Sequence, residues 1–161
     1  MHPSSVKLSS KGRYAVRALF DIAFYNDGQP TQVRDIAERQ NIPQRFLEQI
    51  FQDLKRSGIV GSKRGPQGGY QLARPAQEIP LGEVVRVIEG PVALGESSAQ
   101  PATGKRADTV TDGQRATDSV FEEISERISA CLDSVTLADV CDKAGSLGIK
   151  KPGSERYVYS I

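Results

Sequence analysis

The sequence predicts a mainly α-helical fold: helices separated by short turns, one β-hairpin, and a long amphipathic helix set after a polar stretch. Three observations carry this. Apolar residues recur three and four apart through residues 16–54, the spacing of one helix face. A glycine-rich stretch, KRGPQGGYQL at Lys63–Leu72, lies between two short strand-like runs. Residues 91–116 are polar, small and Pro/Gly-containing, and an apolar stripe resumes after them.

Taken in order, the first helix is expected over Ser9–Tyr25, with Val16, Leu19, Phe20, Ala23 and Phe24 on one face. Ser9 or Ser10 can cap it, and Asn26-Asp27-Gly28 stops it. Thr31 is the expected cap of a second helix, TQVRDIAERQ, whose apolar face is Val33, Ile36 and Ala37. A short turn, Asn41-Ile42-Pro43, leads to a third helix, PQRFLEQIFQDLKRSG. Pro43 suits its first turn, where the missing N–H is not needed. Phe46, Leu47, Ile50, Phe51 and Leu54 make its stripe, Lys55 and Arg56 suit the negative end of its dipole, and Gly58 ends it.

IVGSK and YQLAR then read as the strands of a hairpin around RGPQGG. Its glycines permit a sharp turn and close backbone approach, Pro66 stiffens the turn, and Tyr70 and Leu72 anchor the returning strand. LGEVVRVIEG gives a short fourth helix with Leu81, Val84, Val85 and Ile88 inward, broken by Gly90-Pro91. From Thr117, TDSVFEEISERISACL puts Val120, Phe121, Ile124, Ile128 and Leu132 on one stripe, which packs either on a partner subunit or on its own domain. Ser134 or Thr136 caps a last short helix, TLADVCDKAG, and the tail ends YVYSI. The expected organisation is therefore residues 1–90, a flexible loop over 91–116, the long helix and its short successor over 117–148, and a tail over 149–161.

Composition narrows the function. The 161 residues are 38% hydrophobic and 25% charged, which suits a water-soluble chain with a modest core. No apolar run approaches the roughly 18–20 residues of a membrane helix, and the N-terminus lacks the apolar region of a secretory signal, so a cytoplasmic protein is expected. Two cysteines, Cys131 and Cys141, are too few for a disulfide framework. Net charge is +1, but residues 1–80 carry 12 Lys+Arg against 7 Asp+Glu while residues 81–161 carry 9 against 13. A basic front half fits an anionic partner. Enzyme readings fare poorly. A phosphate loop needs GxxxxGK[ST] ahead of a helix, whereas Gly65–Gly69 precedes the strand-like YQLAR. With His2 as its single histidine, the chain cannot assemble a Ser-His-Asp or Cys-His set.

Helix, helix, tight turn, helix, hairpin is the order of a winged helix-turn-helix. In that arrangement the second helix braces the third, and the third enters the major groove of double-stranded DNA. Gln44, Arg45, Glu48 and Gln49 lie off the apolar stripe and can each read a base edge: Arg pairs with guanine, Gln with adenine, and Glu accepts from cytosine. The hairpin would carry Lys63 and Arg64 to the DNA backbone or minor groove. The alternative for these positions is a solvated helix face. An interaction adaptor that kept the fold and lost DNA binding is a competing function, disfavoured by Arg45, Glu48, Gln49 and Arg64.

SSKGRYAVRALFDIA, DIAERQNIPQRFLEQIFQDLKRSGIVGSKRGPQGGYQLAR and IPLGEVVRVIEGP together resemble the Rrf-type family of bacterial transcription regulators, over Lys7–Pro91. The resemblance implies a homodimer of winged helices that binds palindromic promoter DNA, typically as a repressor, with a long C-terminal helix crossing to the other subunit. By their place around FLEQ, Arg45, Glu48 and Gln49 fall on the family's base readers. Arg64 and Gly65 fall on the wing residues that probe the minor groove, and Lys7, Ser10 and Arg13 on backbone-contacting positions near the first helix.

Many members hold an iron–sulfur cluster on three cysteines in the loop before the dimerisation helix. Here that loop, residues 91–116, has neither Cys nor His, and a cluster needs about four such ligands. No cofactor or metal is expected, and the chain is closest in kind to the cluster-free, CymR-like members, which control cysteine and sulfur metabolism together with cysteine synthase. Cysteine synthases accept partner tails ending in isoleucine, and this chain ends on Tyr159-Ser160-Ile161. Tyr159 and Ile161 are therefore candidate partner-binding residues, with a free carboxylate available to backbone N–H groups; a tail that packs on the dimer or frays is the alternative. Thiol redox sensing through Cys131 or Cys141 is a further reading, as is a cluster-bearing regulator, with inert cysteines the blander outcome.

Overall fold

The computed structural model describes residues 6–95 and 110–151. Its elements run α1 (Ser10–Asn26), α2 (Val33–Gln40), α3 (Gln44–Arg56), β1 (Val60–Lys63), β2 (Gly69–Leu72), a 3-10 turn (Ala76–Glu78), α4 (Leu81–Glu89), α5 (Asp112–Asp133) and α6 (Leu137–Ser146). This is the expected mainly helical fold: a winged helix-turn-helix followed by a long C-terminal helix.

The α1 boundaries follow from its caps. The Ser9 hydroxyl accepts from the Gly12 N–H at 3.0 Å, and Asp27 ends the helix in the left-handed region at φ 51°. The core forms where the stripes of the first three helices meet: Leu19, Ile22, Ile36, Leu47, Ile50 and Phe51 are all fully buried. The hairpin is antiparallel, with Val60 opposite Leu72 and Lys63 opposite Gly69. The Tyr70 ring stacks on Phe51, centroids 4.4 Å apart, which fastens the returning strand to α3.

Three expectations need correction. Thr31 does not cap α2; Gln32 takes that position and makes no side-chain cap bond. Thr31 is instead buried, and its backbone pairs with Tyr70, N–H to O at 2.8 Å and O from N–H at 2.9 Å. A local cap signal lost to a tertiary strand-like pairing. That pairing explains Gly69, whose added Cβ would lie 2.2 Å from the Thr31 carbonyl oxygen at a φ of +142°. Next, Phe46 does not join the α3 stripe and is 40% exposed. Finally, α5 begins at Asp112 rather than Thr117, because Thr111 and Gln114 form a reciprocal capping box, with Thr111 N–H donating to Gln114 at 2.9 Å. The polar first turns of α5 have no apolar period and therefore look like linker.

The C-terminal helices pack on the winged helix in a way periodicity does not reveal. Thr136 caps α6 through a box with Asp139. Leu137 enters the core fully buried, its N–H donating to Ile79 O at 2.9 Å, and Leu81 N–H donates to Val135 O at 2.8 Å. The start of α4 lies against the end of α5, where Arg86 pairs with Asp133 at 2.9 Å. A Cβ on Gly82 would fall 1.9 Å from Asp133 Oδ1, so a side chain there would displace the carboxylate from its pairing with Arg86.

Candidate nucleic-acid interface

The buried stripe of α3 dictates what the helix presents. With Leu47, Ile50, Phe51 and Leu54 inward, Gln44, Arg45, Glu48 and Gln49 are all exposed. Gln44 Nε2 donates to Glu48 Oε1 at 3.0 Å, one turn along, which holds the carboxylate on the outer face. The Arg45 guanidinium lies 5.0 Å from the centre of the Phe46 ring.

Lys63, Arg64 and Gly65 are exposed at the end of β1 and in the hairpin turn. Gly65 adopts φ +108°, a conformation open to glycine, and its carbonyl accepts from Gly68 N–H at 2.9 Å to close the turn. The wing is tied at both ends. Lys55 Nζ on α3 donates to Ser62 Oγ at 2.7 Å, and Gln32 Nε2 reaches Pro66 O at 3.2 Å. These bonds tie the wing to α3 and to the residue before α2, so the Lys63–Arg64 cations sit beside the exposed α3 face.

Lys7, Ser10 and Arg13 gather at the exposed start of α1, with Arg13 donating to Ser10 Oγ at 3.4 Å. They border a cleft with Ile88 and Glu89. Glu89 Oε1 accepts from Ser9 N–H at 2.6 Å and lies where a Cβ on Gly12 would displace it. Lys11 pairs with Asp53 at 2.8 Å, linking this end of α1 to the far end of α3. Tyr159 and Ile161 lie outside the described residues.

Sequence reading missed the residues that position this group. Asp21 is fully buried on α1 and accepts from Arg39 three times, at 2.6–3.2 Å, and from Gln40 at 2.7 Å. Those hydrogen bonds raise the Arg39 pKa although burial opposes them. The clamp holds α2 on α1, and α2 in turn braces α3. A carboxylate one residue before Ile22, in a stripe of apolar residues, was the available signal.

The cysteines are set apart. Cys131 is exposed on α5, while Cys141 is half-buried on α6, where burial first and Asp142 second push its thiol pKa up. Among the described residues no group of three or more His, Cys, Asp or Glu could hold a metal ion.

Comparison with known proteins bears on this geometry. The family profile for "Rrf2: Iron-dependent Transcriptional regulator" matches residues 8–143. The chain is 40% identical over 136 residues to the transcriptional regulator IscR of Serratia proteamaculans, covering 84% of this chain and 79% of that one. Among solved structures it resembles T. potens IscR, at 33% identity and TM-score 0.69 over 91% of this chain and 94% of that one. It also resembles CymR, the global cysteine regulator of B. subtilis, at 30% identity and TM-score 0.70 over 86% and 98%. The donor set here does not fit an iron–sulfur cluster. The chain has two cysteines and one histidine, fewer soft or imidazole ligands than the roughly four a cluster needs, and its two cysteines lie on different helices. With its winged helix-turn-helix and its match over residues 8–143, the chain belongs to the Rrf2 family of transcriptional regulators, DNA-binding proteins without catalytic activity.

Proposed function

We propose that the protein is a homodimeric repressor that binds palindromic promoter DNA through α3 and the wing, and that it is a cluster-free member controlling cysteine and sulfur metabolism. The observation that carries the DNA reading is the shared exposed surface of Gln44, Arg45, Glu48 and Gln49 beside Lys63, Arg64 and Gly65. Arg45, Glu48 and Gln49 read bases, Arg64 and Gly65 approach the minor groove, and Lys7, Ser10 and Arg13 meet phosphates. Two apolar surfaces support the dimer. Val120, Phe121 and Ile124 on α5 are 52%, 43% and 37% exposed. A groove between α1 and α6, lined by Val16, Phe20, Val140, Leu147 and Ile149, can receive such a stripe from a second copy. The poor fit to a cluster supports a cluster-free member; the sulfur regulon and a cysteine synthase partner engaged through Ile161 are further parts of this proposal.

Footprinting of the purified protein on its own upstream DNA tests this. Binding should protect two half-sites and weaken steeply with salt. Arg64→Ala should lower the salt slope by about one, and Glu48→Ala should relax preference at one base pair. Cysteine synthase should alter the footprint with the full chain but not with one lacking Ile161. Salt-insensitive or sequence-blind binding would defeat the DNA reading; an identical response without Ile161 would defeat the partner reading.

A further inference from the structure

Phe46 departs from the pattern of the helix that carries it. Within the helices and strands from α1 to α4 it is the one large apolar side chain left exposed, at 40%, while Leu47, Ile50, Phe51 and Leu54 around it are fully buried. It lies in the first turn of α3, the part of a recognition helix whose side chains meet base edges. The ring is partly covered but is not among the side chains packed on the core, so its open edge is available to a ligand.

The Arg45 guanidinium lies over the Phe46 ring at 5.0 Å from its centre. A guanidinium that stacks by its face keeps its in-plane N–H donors free, and those donors form the bidentate pair with guanine O6 and N7. Stacking also restricts a side chain that otherwise has many rotamers. The ring itself offers apolar surface, and the apolar feature of the major groove is the C5 methyl of thymine.

Resting on the DNA-binding reading above, we propose that Phe46 is a specificity-determining residue: its ring contacts a thymine methyl in each half-site and serves as the platform that aims Arg45 at an adjacent guanine. Gln44 and Glu48 are hydrogen-bonded to each other, while Arg45 is held over Phe46.

The full chain would select its site from a randomised duplex pool. In that site each thymine is replaced in turn by deoxyuridine, which removes only the methyl, and each guanine by 7-deazaguanine, which removes N7. For the wild type, one deoxyuridine per half-site should weaken binding about fourfold, as expected when one methyl-sized group leaves an apolar contact. The adjacent 7-deazaguanine should also weaken it. Phe46→Ala should bind the unmodified site more weakly, lose the deoxyuridine penalty at that position and shrink the guanine penalty. Phe46→Leu, which keeps apolar bulk without an aromatic face, should keep the deoxyuridine penalty and shrink the guanine one; urea melts report the fold of both variants.

Specific binding by Phe46→Ala with every wild-type penalty intact would overturn this inference alone. So would a uniform loss of affinity across all sites, or a change in sedimentation without a change in penalties. If the wild type selected no site, the DNA reading would fall first and this inference with it.

Discussion

Asp21→Ala probes the clamp on which the candidate interface rests. The carboxylate is 0% exposed and accepts four hydrogen bonds from Arg39 and Gln40, at 2.6–3.2 Å. Breaking a buried ion pair by removing one partner costs about 3–5 kcal/mol. The Arg39 side chain remains 35% exposed and can recover water, so the expected loss is discounted to about 2–3 kcal/mol. For a chain of this size that lowers Tm by about 4–12 °C. Urea unfolding followed by circular dichroism would read the loss as a lower midpoint at unchanged m. Arg39→Ala and the double variant complete a cycle, with a coupling of about 1–2 kcal/mol expected between Asp21 and Arg39. A loss below about 0.5 kcal/mol for Asp21→Ala, or strictly additive single losses, would refute the clamp. Arg17 also donates to Gln40 O, a second tie between α1 and the end of α2.

Other perturbations test other parts of the fold. Gly69→Ala places a Cβ 2.2 Å from Thr31 O and breaks two backbone hydrogen bonds, so a loss of at least about 2 kcal/mol is expected in the same melt; an unchanged midpoint would contradict it. Ile124→Glu puts a charge into the exposed α5 stripe, and sedimentation should show monomer with unchanged helix content; an intact dimer would move the interface elsewhere. Iodoacetamide should modify exposed Cys131 before half-buried Cys141, read by mass spectrometry of the two peptides, and equal rates would count against this environment. Because the Cys141 pKa is raised in the folded protein, its contribution to stability is fully present below the ordinary thiol pKa and is lost as pH rises through the raised one.

Much of this protein was legible from residue spacing. The Ser9 cap, the stripe Leu47–Ile50–Phe51–Leu54 and the wing around Gly65 each depend on residues a few positions apart, and local chemistry determines local structure. The outward placement of Gln44, Arg45, Glu48 and Gln49 followed from the same period, since a buried stripe fixes the opposite face. Tertiary contacts decided what spacing could not. Thr31 was a sound cap until Tyr70 paired with it, and Phe46 fitted the apolar period until the packed neighbours left it outside. Asp21 found Arg39 on another helix, and Gly69 was required by the Thr31 backbone, distant in the chain. Periodicity encodes which face of a helix is apolar, but not which surface it will meet; burial, ion pairing and close backbone approach arise only when separate segments share space.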